Sequence, residues 1–221
     1  MAFNYSPRVI TDGLVLYLDA ANQYSYVSGS TSWNDISRGG NNGVLTNGPT
    51  FSSANAGSIV FDGTNDYVSI PYSSNISTPS SFTLSIWVKI LSTPAGYRGL
   101  MVIGRDTGSW YSIYYANGYF VMATSGGNIF SPNPIVIGNW YNVVFTATGS
   151  TGLLYENGVQ VQTRSYTPPS ISTGSNFYIG TATSGMEFSN SNIALASEYN
   201  RALSATEVLQ NYNATKTRFG L

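Results

Sequence analysis

The sequence predicts an all-β fold of the sandwich or barrel class, with one short helix near its end. Three observations predict it. Apolar residues recur at every second position in many short runs. Clusters of Gly, Asn, Ser and Pro separate those runs. A single capping box stands close to the C-terminus.

In chain order the unpaired runs are 14–19, 58–62, 66–70, 82–90, 99–104, 139–147, 176–180 and 192–199. The clearest puts Phe82, Leu84, Ile86, Val88 and Ile90 on one face and Thr83, Ser85, Trp87 and Lys89 on the other, as a half-buried strand does. Two hairpins are signalled by Asn-Gly, which supplies the two positive φ angles of a type I′ turn. Asn117-Gly118 joins 110–116 to 119–124, and Asn157-Gly158 joins 152–156 to 159–163. In Ser204-Ala205-Thr206-Glu207 the serine hydroxyl would accept from the Glu207 amide while the carboxylate reaches back to the Ser204 amide. Val208, Leu209 and Tyr212 then share a face, which predicts a helix over 204–213.

The composition excludes several function classes. Of 221 residues 42% are hydrophobic but only 9% charged, against about 25% charged in ordinary soluble domains. A net charge of −1 gives no basic surface for nucleic acid and no polybasic membrane anchor. With no Cys and no His, thiolate or imidazole ligation of a metal is excluded. So are nucleophile–His dyads and triads. No run approaches the roughly 18 apolar residues of a membrane span, so no membrane insertion is expected. The opening MAFNYSPRVITDG has no apolar segment of the signal-peptide kind, and synthesis in a host cytoplasm is the expectation.

Several segments together carry a family resemblance. Gly13-Leu14-Val15-Leu16-Tyr17-Leu18-Asp19-Ala20 is followed by Trp33-Asn34-Asp35-Ile36-Ser37 and Asn41-Asn42-Gly43. Val60-Phe61-Asp62-Gly63-Thr64-Asn65-Asp66-Tyr67-Val68, Phe82–Lys89, Asn139–Phe145 and Leu154–Val159 come next, and Tyr199-Asn200-Arg201-Ala202-Leu203-Ser204 closes the set. This order resembles the laminin-G-like, pentraxin-like branch of the concanavalin A-like lectin/glucanase superfamily over about residues 12–215. The resemblance implies a two-sheet antiparallel jelly-roll sandwich over 12–221, preceded by an N-terminal arm, Met1–Thr11. The spelling from Asp12-Gly13-Leu14 to Ala202-Leu203-Ser204 is most similar to stand-alone copies in bacteriophage particle proteins.

Three sets of residues are candidates for chemistry. Glycoside cleavage needs two carboxylates about 5–9.5 Å apart, and the glucanases of the superfamily carry closely spaced acids on one strand. Here Glu156, Glu187, Glu198 and Glu207 stand singly, so no catalytic residue is assigned and no enzyme is expected. Asp62, Asn65 and Asp66 offer three oxygen side chains in five residues. Ca²⁺, which takes six to eight oxygens, is one reading; a strand-to-strand turn in which these side chains bond their own backbone is the stronger one. No other cofactor is expected. The hairpin at Asn117-Gly118 pairs Tyr115 with Phe120, Tyr114 with Val121 and Ile113 with Met122, which leaves Trp110, Tyr114 and Tyr119 on the less apolar face. That face has three readings: a platform for sugar rings, since Tyr and Trp give rigid amphipathic contact; ordinary packing; or a surface for another protein.

The expected function is a non-enzymatic virion protein with a lectin-like jelly roll. Phage head decoration, head fibre and tail-fibre component are its forms. The expected partners are other virion subunits, reached through Met1–Thr11, and host-surface glycans. A stand-alone bacterial carbohydrate-binding module is the alternative, and a glycan-cleaving enzyme the third reading.

Overall fold

Strand pairing in the computed structural model, which describes residues 7–76 and 80–221, follows the sequence pattern. The strands are β1 (Leu14–Asp19), β2 (Ser32–Trp33), β3 (Gly43–Thr46), β4 (Thr50–Ser52), β5 (Ser58–Asp62), β6 (Tyr67–Ile70), β7 (Ser81–Ile90) and β8 (Tyr97–Ile103). They continue as β9 (Tyr111–Ala116), β10 (Tyr119–Thr124), β11 (Gly127–Phe130), β12 (Trp140–Thr148), β13 (Thr151–Glu156), β14 (Val159–Ser165), β15 (Phe177–Ile179) and β16 (Asn190–Tyr199). One helix, α1 (Ala205–Thr215), is followed by a 3₁₀ turn, Lys216–Phe219.

The strands form two antiparallel sheets of eight. One runs β14-β13-β12-β7-β16-β5-β4 with β1 also on β16, and the other runs β11-β10-β9-β8-β15-β6-β3-β2. Between them lies one core. Leu84, Ile86 and Phe145 of the first sheet meet Tyr111, Ile113, Tyr115, Phe120 and Met122 of the second. The all-β, two-sheet sandwich with one short C-terminal helix is therefore the fold. Four strands lie outside the periodic runs: β2, β3, β4 and β11, each of four residues or fewer.

Both Asn-Gly hairpins form as expected. Asn117 and Gly118 have φ of 50° and 92°, and Asn157 and Gly158 have 51° and 79°. The pairs Tyr115–Phe120, Tyr114–Val121 and Ile113–Met122 are in register.

The two outer faces differ. On the first sheet, α1 and the turn after it cover Trp87, Trp140 and Leu195 with Phe219. Trp87 stacks on Phe219 with ring centres 4.0 Å apart and donates through Nε1 to Thr215 Oγ1 at 2.9 Å. Arg218 locks the tail, with its guanidinium on Asp19 Oδ1 at 2.6 Å and on the carbonyls of Asn55 and Gly57. This corrects the expectation of a half-buried strand at 82–90. Trp87 is only 1% exposed, because a segment some 130 residues later closes over it. Among the described residues no α-helix covers the second sheet, over part of which the 180–189 loop lies, and we call it the open sheet.

The described part of the N-terminal arm is bound within the chain. Ile10 donates to Asn211 Oδ1 at 2.8 Å and accepts from the Tyr199 hydroxyl at 2.9 Å, while Gln210 donates to the Arg8 carbonyl at 2.8 Å. The expected docking of Met1–Thr11 on another subunit concerns mainly residues 1–6, which lie outside the described residues. The helix begins at the capping box, with both reciprocal bonds present. No described helix is long and apolar enough to cross a membrane.

Candidate functional site

The outer face of the open sheet near its β11 edge carries an aromatic patch. The β9–β10 register puts Tyr114, Val121 and Ala123 on this side, and the β10–β11 register adds Asn128 and Phe130. Tyr97 of β8 meets Tyr114 edge-on at 5.9 Å, and Tyr119 meets Phe130 edge-on at 6.5 Å.

The expected platform of Trp110, Tyr114 and Tyr119 needs correction. Tyr114 is 2% exposed and forms part of a small packed cluster. It is a floor, since Val102, Val121 and Ala123 crowd its ring. Trp110 is half-buried, and the Arg105 guanidinium lies 4.0 Å over its ring, so that face is taken by a cation–π contact. Tyr119 is half-buried and stands apart from the other two.

What these residues enclose is a pocket of about 80 Å³, lined by Tyr97, Arg105, Trp110, Tyr114, Asn128 and Glu187 with Ala123. That holds several water-sized groups, enough for the hydroxyl-bearing edge of one sugar ring. Arg105 Nη2 and Glu187 Oε1 are 3.8 Å apart, close enough to attract but too far to hydrogen-bond. Both therefore keep donors and acceptors for a third group. The Tyr114 hydroxyl, buried against the pocket, has no hydrogen-bond partner. Burial first, then the nearby Glu187 charge, hold its pKa above the ordinary phenol value, partly offset by Arg105, and a weak contact with the Glu187 carboxylate, outside hydrogen-bond geometry, raises it further. Glu187 thus stands near enough to be felt by the hydroxyl without forming a well-made hydrogen bond to it. Asn128 is anchored by donating to the Tyr97 hydroxyl at 2.9 Å.

Local backbone explains how the charges arrive. Arg105 sits in a 3₁₀ turn after β8, entered through Gly104 at φ 84°, where an added Cβ would overlap the Ser109 carbonyl oxygen. Glu187 has a φ of 60°, a strained value for a side chain with a Cβ. It is held there by Gly99, which donates to its carbonyl at 2.9 Å. Sequence reasoning missed Tyr97, Arg105, Asn128 and Glu187 as site residues. Each is a lone residue without motif spacing; the available signal was the rarity of charge in this chain.

Asp62, Asn65 and Asp66 build a turn. Asp62 Oδ1 accepts from the Thr64 amide at 2.7 Å, and Asp66 Oδ2 accepts from the Asp62 amide at 3.1 Å. Asn65 contributes its carbonyl, which accepts from Asn47 at 2.9 Å. Burial raises the Asp66 carboxyl above its ordinary pKa. Among the described residues no group of three or more His, Cys, Asp or Glu side chains is placed to hold a metal ion. Asp35 is likewise structural, since its carboxylate accepts from the amides of Tyr17, Ser37 and Asn41.

A laminin G family model, described as the concanavalin A-like lectin/glucanases superfamily, matches residues 62–209. The chain belongs to the concanavalin A-like lectin/glucanase superfamily. The matched part of this superfamily domain runs from the end of β5 into α1 and contains every residue of the Tyr114 pocket. No curated protein matches the chain in sequence. Among solved structures, sialidase from Trypanosoma rangeli in complex with sialic acid superposes with a TM-score of 0.72 at 21% identity, over 95% of this chain and 34% of that one. The superfamily domain thus spans about a third of the sialidase. Domain 4 of AbnA, a GH43 extracellular arabinanase from Geobacillus stearothermophilus, in complex with arabinotriose, gives a TM-score of 0.73 at 16% identity, over 92% of this chain and 100% of that one. The binding domain of Paraclostridial Mosquitocidal Protein 1 gives 0.67 at 17% identity, over 91% and 52%. At these identities the likeness concerns the fold.

Proposed function

We propose that this superfamily domain binds a glycan through the Tyr114 pocket and does not cleave it. The observation that carries the reading is the buried Tyr114 hydroxyl, unpartnered at the base of a pocket whose walls are aromatic and whose other polar groups are Arg105, Asn128 and Glu187. A buried hydroxyl left without a partner costs free energy, and a ligand hydroxyl would relieve that cost. Aromatic walls with a few convergent polar groups suit a sugar edge. The lining holds one carboxylate, Glu187, whereas the usual glycosidase chemistry takes two. The solved arabinanase domain is described in complex with arabinotriose, which favours glycan binding in this fold.

We also propose that the domain serves as an adhesive component of a phage particle, as head decoration, head fibre or tail fibre. The spelling of its terminal segments supports that placement, and Met1–Thr11 would be the link to neighbouring subunits. A stand-alone bacterial carbohydrate-binding module shares the pocket and differs in location. Mass spectrometry of purified particles separates the two. The glycan reading is tested by titrating wild type and Glu187→Gln against an immobilised glycan panel. Retention of one or more glycans by wild type and weakened retention by the variant are expected; a wild type that retains none overturns the reading.

A further inference from the structure

A second, larger cavity lies across the edge strand β11 from the Tyr114 pocket. A cleft of about 440 Å³ lies where the two sheets part, between β11 and the end of β14. Thr124, Asn128, Phe130, Arg164, Ser165 and Thr167 are among its lining residues. Asn128 lines both cavities, so the two flank the edge strand β11. By itself the pocket is below the roughly 300 Å³ at which ligand sites begin, whereas the cleft is within the usual range.

Arg164 sets the character of the cleft. It pairs with Gly152 across β13 and β14, and a Cβ added at Gly152 would meet Met122 and Phe145 of the core. Paired residues project to the same side of a sheet, so Arg164 leaves the strand on its core-facing side and enters the gap between the sheets. Among the described residues Arg105, Arg201 and Arg218 are held in ion pairs, whereas Arg164, like Arg8 and Arg38, has no ion pair and remains exposed, and Arg164 lines the cleft. No Asp or Glu lines the cleft. The remaining polar groups are hydroxyls, the Asn128 amide and backbone, with Phe130 offering an exposed ring.

Resting on the glycan-binding reading, we infer that the cleft is a second subsite that takes the anionic group of an acidic oligosaccharide whose neighbouring sugar occupies the Tyr114 pocket. The pocket itself pairs Arg105 with Glu187 and so favours a neutral, hydroxyl-bearing edge. The cleft offers an uncompensated guanidinium, whose fork matches a carboxylate or a sulfate. A chain of at least two sugars is needed to reach both.

The test is an array of neutral, uronic-acid-bearing and sulfated oligosaccharides, probed with wild type, Arg164→Gln and Glu187→Gln. Wild type should retain acidic oligosaccharides, less strongly as NaCl rises. Arg164→Gln should weaken these by roughly tenfold, the scale of one charge-assisted hydrogen bond, and leave neutral analogues of the same backbone unchanged. Glu187→Gln should weaken both. The uronic and sulfated arms tell which anion is taken. Retention of neutral glycans alone, or of acidic ones equally by Arg164→Gln, overturns the second subsite and spares the pocket. Inward charges on edge strands also block edge-to-edge association; an Arg164→Gln variant that self-associates with unchanged affinity would assign Arg164 that role and overturn the subsite. A wild type that retains nothing sinks the glycan reading itself.

Discussion

Arg201 grips Glu207 through two parallel hydrogen bonds, Nη1 to Oε2 at 3.0 Å and Nη2 to Oε1 at 2.7 Å. The same guanidinium reaches Asp12 Oδ2 through Nε at 3.0 Å, and Asn200 donates to the Gly13 carbonyl at 2.9 Å. The first and last segments that carry the family spelling therefore close on each other. Gly13 has a φ of 75°, and an added Cβ would stand 2.9 Å from Arg201 Cγ, so a glycine is needed at this junction.

The grip has a pH signature. The Arg201 bonds, with help from Ser204, pull the Glu207 carboxyl down to about 2. A depressed carboxyl contributes stability above its unfolded value of about 4.5, and that contribution is lost as pH falls through the folded value. Both side chains are about a quarter exposed, so solvent screening reduces the contribution to about 1 kcal/mol. Urea melts should show Glu207→Gln less stable than wild type at pH 6, with the gap closing toward pH 3. A gap independent of pH would overturn this account.

Glu198 has the opposite sign. It is fully buried, and its pKa is raised well above the ordinary value by burial, offset in part by Tyr111. The Tyr111 hydroxyl has one hydrogen but lies 2.9 Å from the Ile76 carbonyl and 3.0 Å from Glu198 Oε1; a protonated Glu198 supplies the second. A raised carboxyl contributes stability below its unfolded value, lost as pH climbs toward the folded one. Glu198→Gln keeps shape and neutrality. Its melting temperature should rise relative to wild type between pH 5 and pH 9, and a constant difference would show that Glu198 does not titrate in this range.

The two Asn-Gly turns separate strain from packing. Gly118 has open space where a Cβ would be added, whereas at Gly158 the same atom would meet Tyr212 at 2.9 Å and Leu209 at 3.1 Å. Gly118→Val should cost about 1–3 kcal/mol from backbone strain alone. Gly158→Val should cost about 1–3 kcal/mol more, because it also pushes α1 off the sheet. Equal losses in chemical denaturation would mean that α1 yields without cost.

These residues also show what was legible in the sequence. Asn-Gly and the Ser204–Glu207 box act within a few residues, so turn type, register and helix start could be read directly. The inner face of β9 and β10 followed from alternation. The cover over Trp87 could not, because it depends on Phe219 arriving from the far end of the chain. The pocket was legible only as an aromatic face. Its polar half, Arg105 and Glu187, comes from two turns about 80 residues apart that only the folded sheet brings together, and neither belongs to a motif.

The strongest discrimination at the pocket comes from Tyr114→Phe. The change removes one oxygen, and that oxygen is buried without a hydrogen-bond partner. The ring stays and keeps its contacts with Tyr97 and Val121. Because that oxygen is unpartnered, its loss should raise stability by about 1 kcal/mol whether or not a ligand uses it. If it waits for a ligand, glycan affinity should also fall about fivefold to tenfold for the lost hydrogen bond, and if it does not, affinity should stay unchanged. Trp110→Ala does not separate these cases as well, because it also releases Arg105 from its ring. Stability and affinity moving in opposite directions in Tyr114→Phe is the expected result, read by thermal melting and by titration with a retained glycan. Loss of stability in this variant would show that the hydroxyl already has a partner in the folded chain, and the pocket would lose the observation on which its function rests.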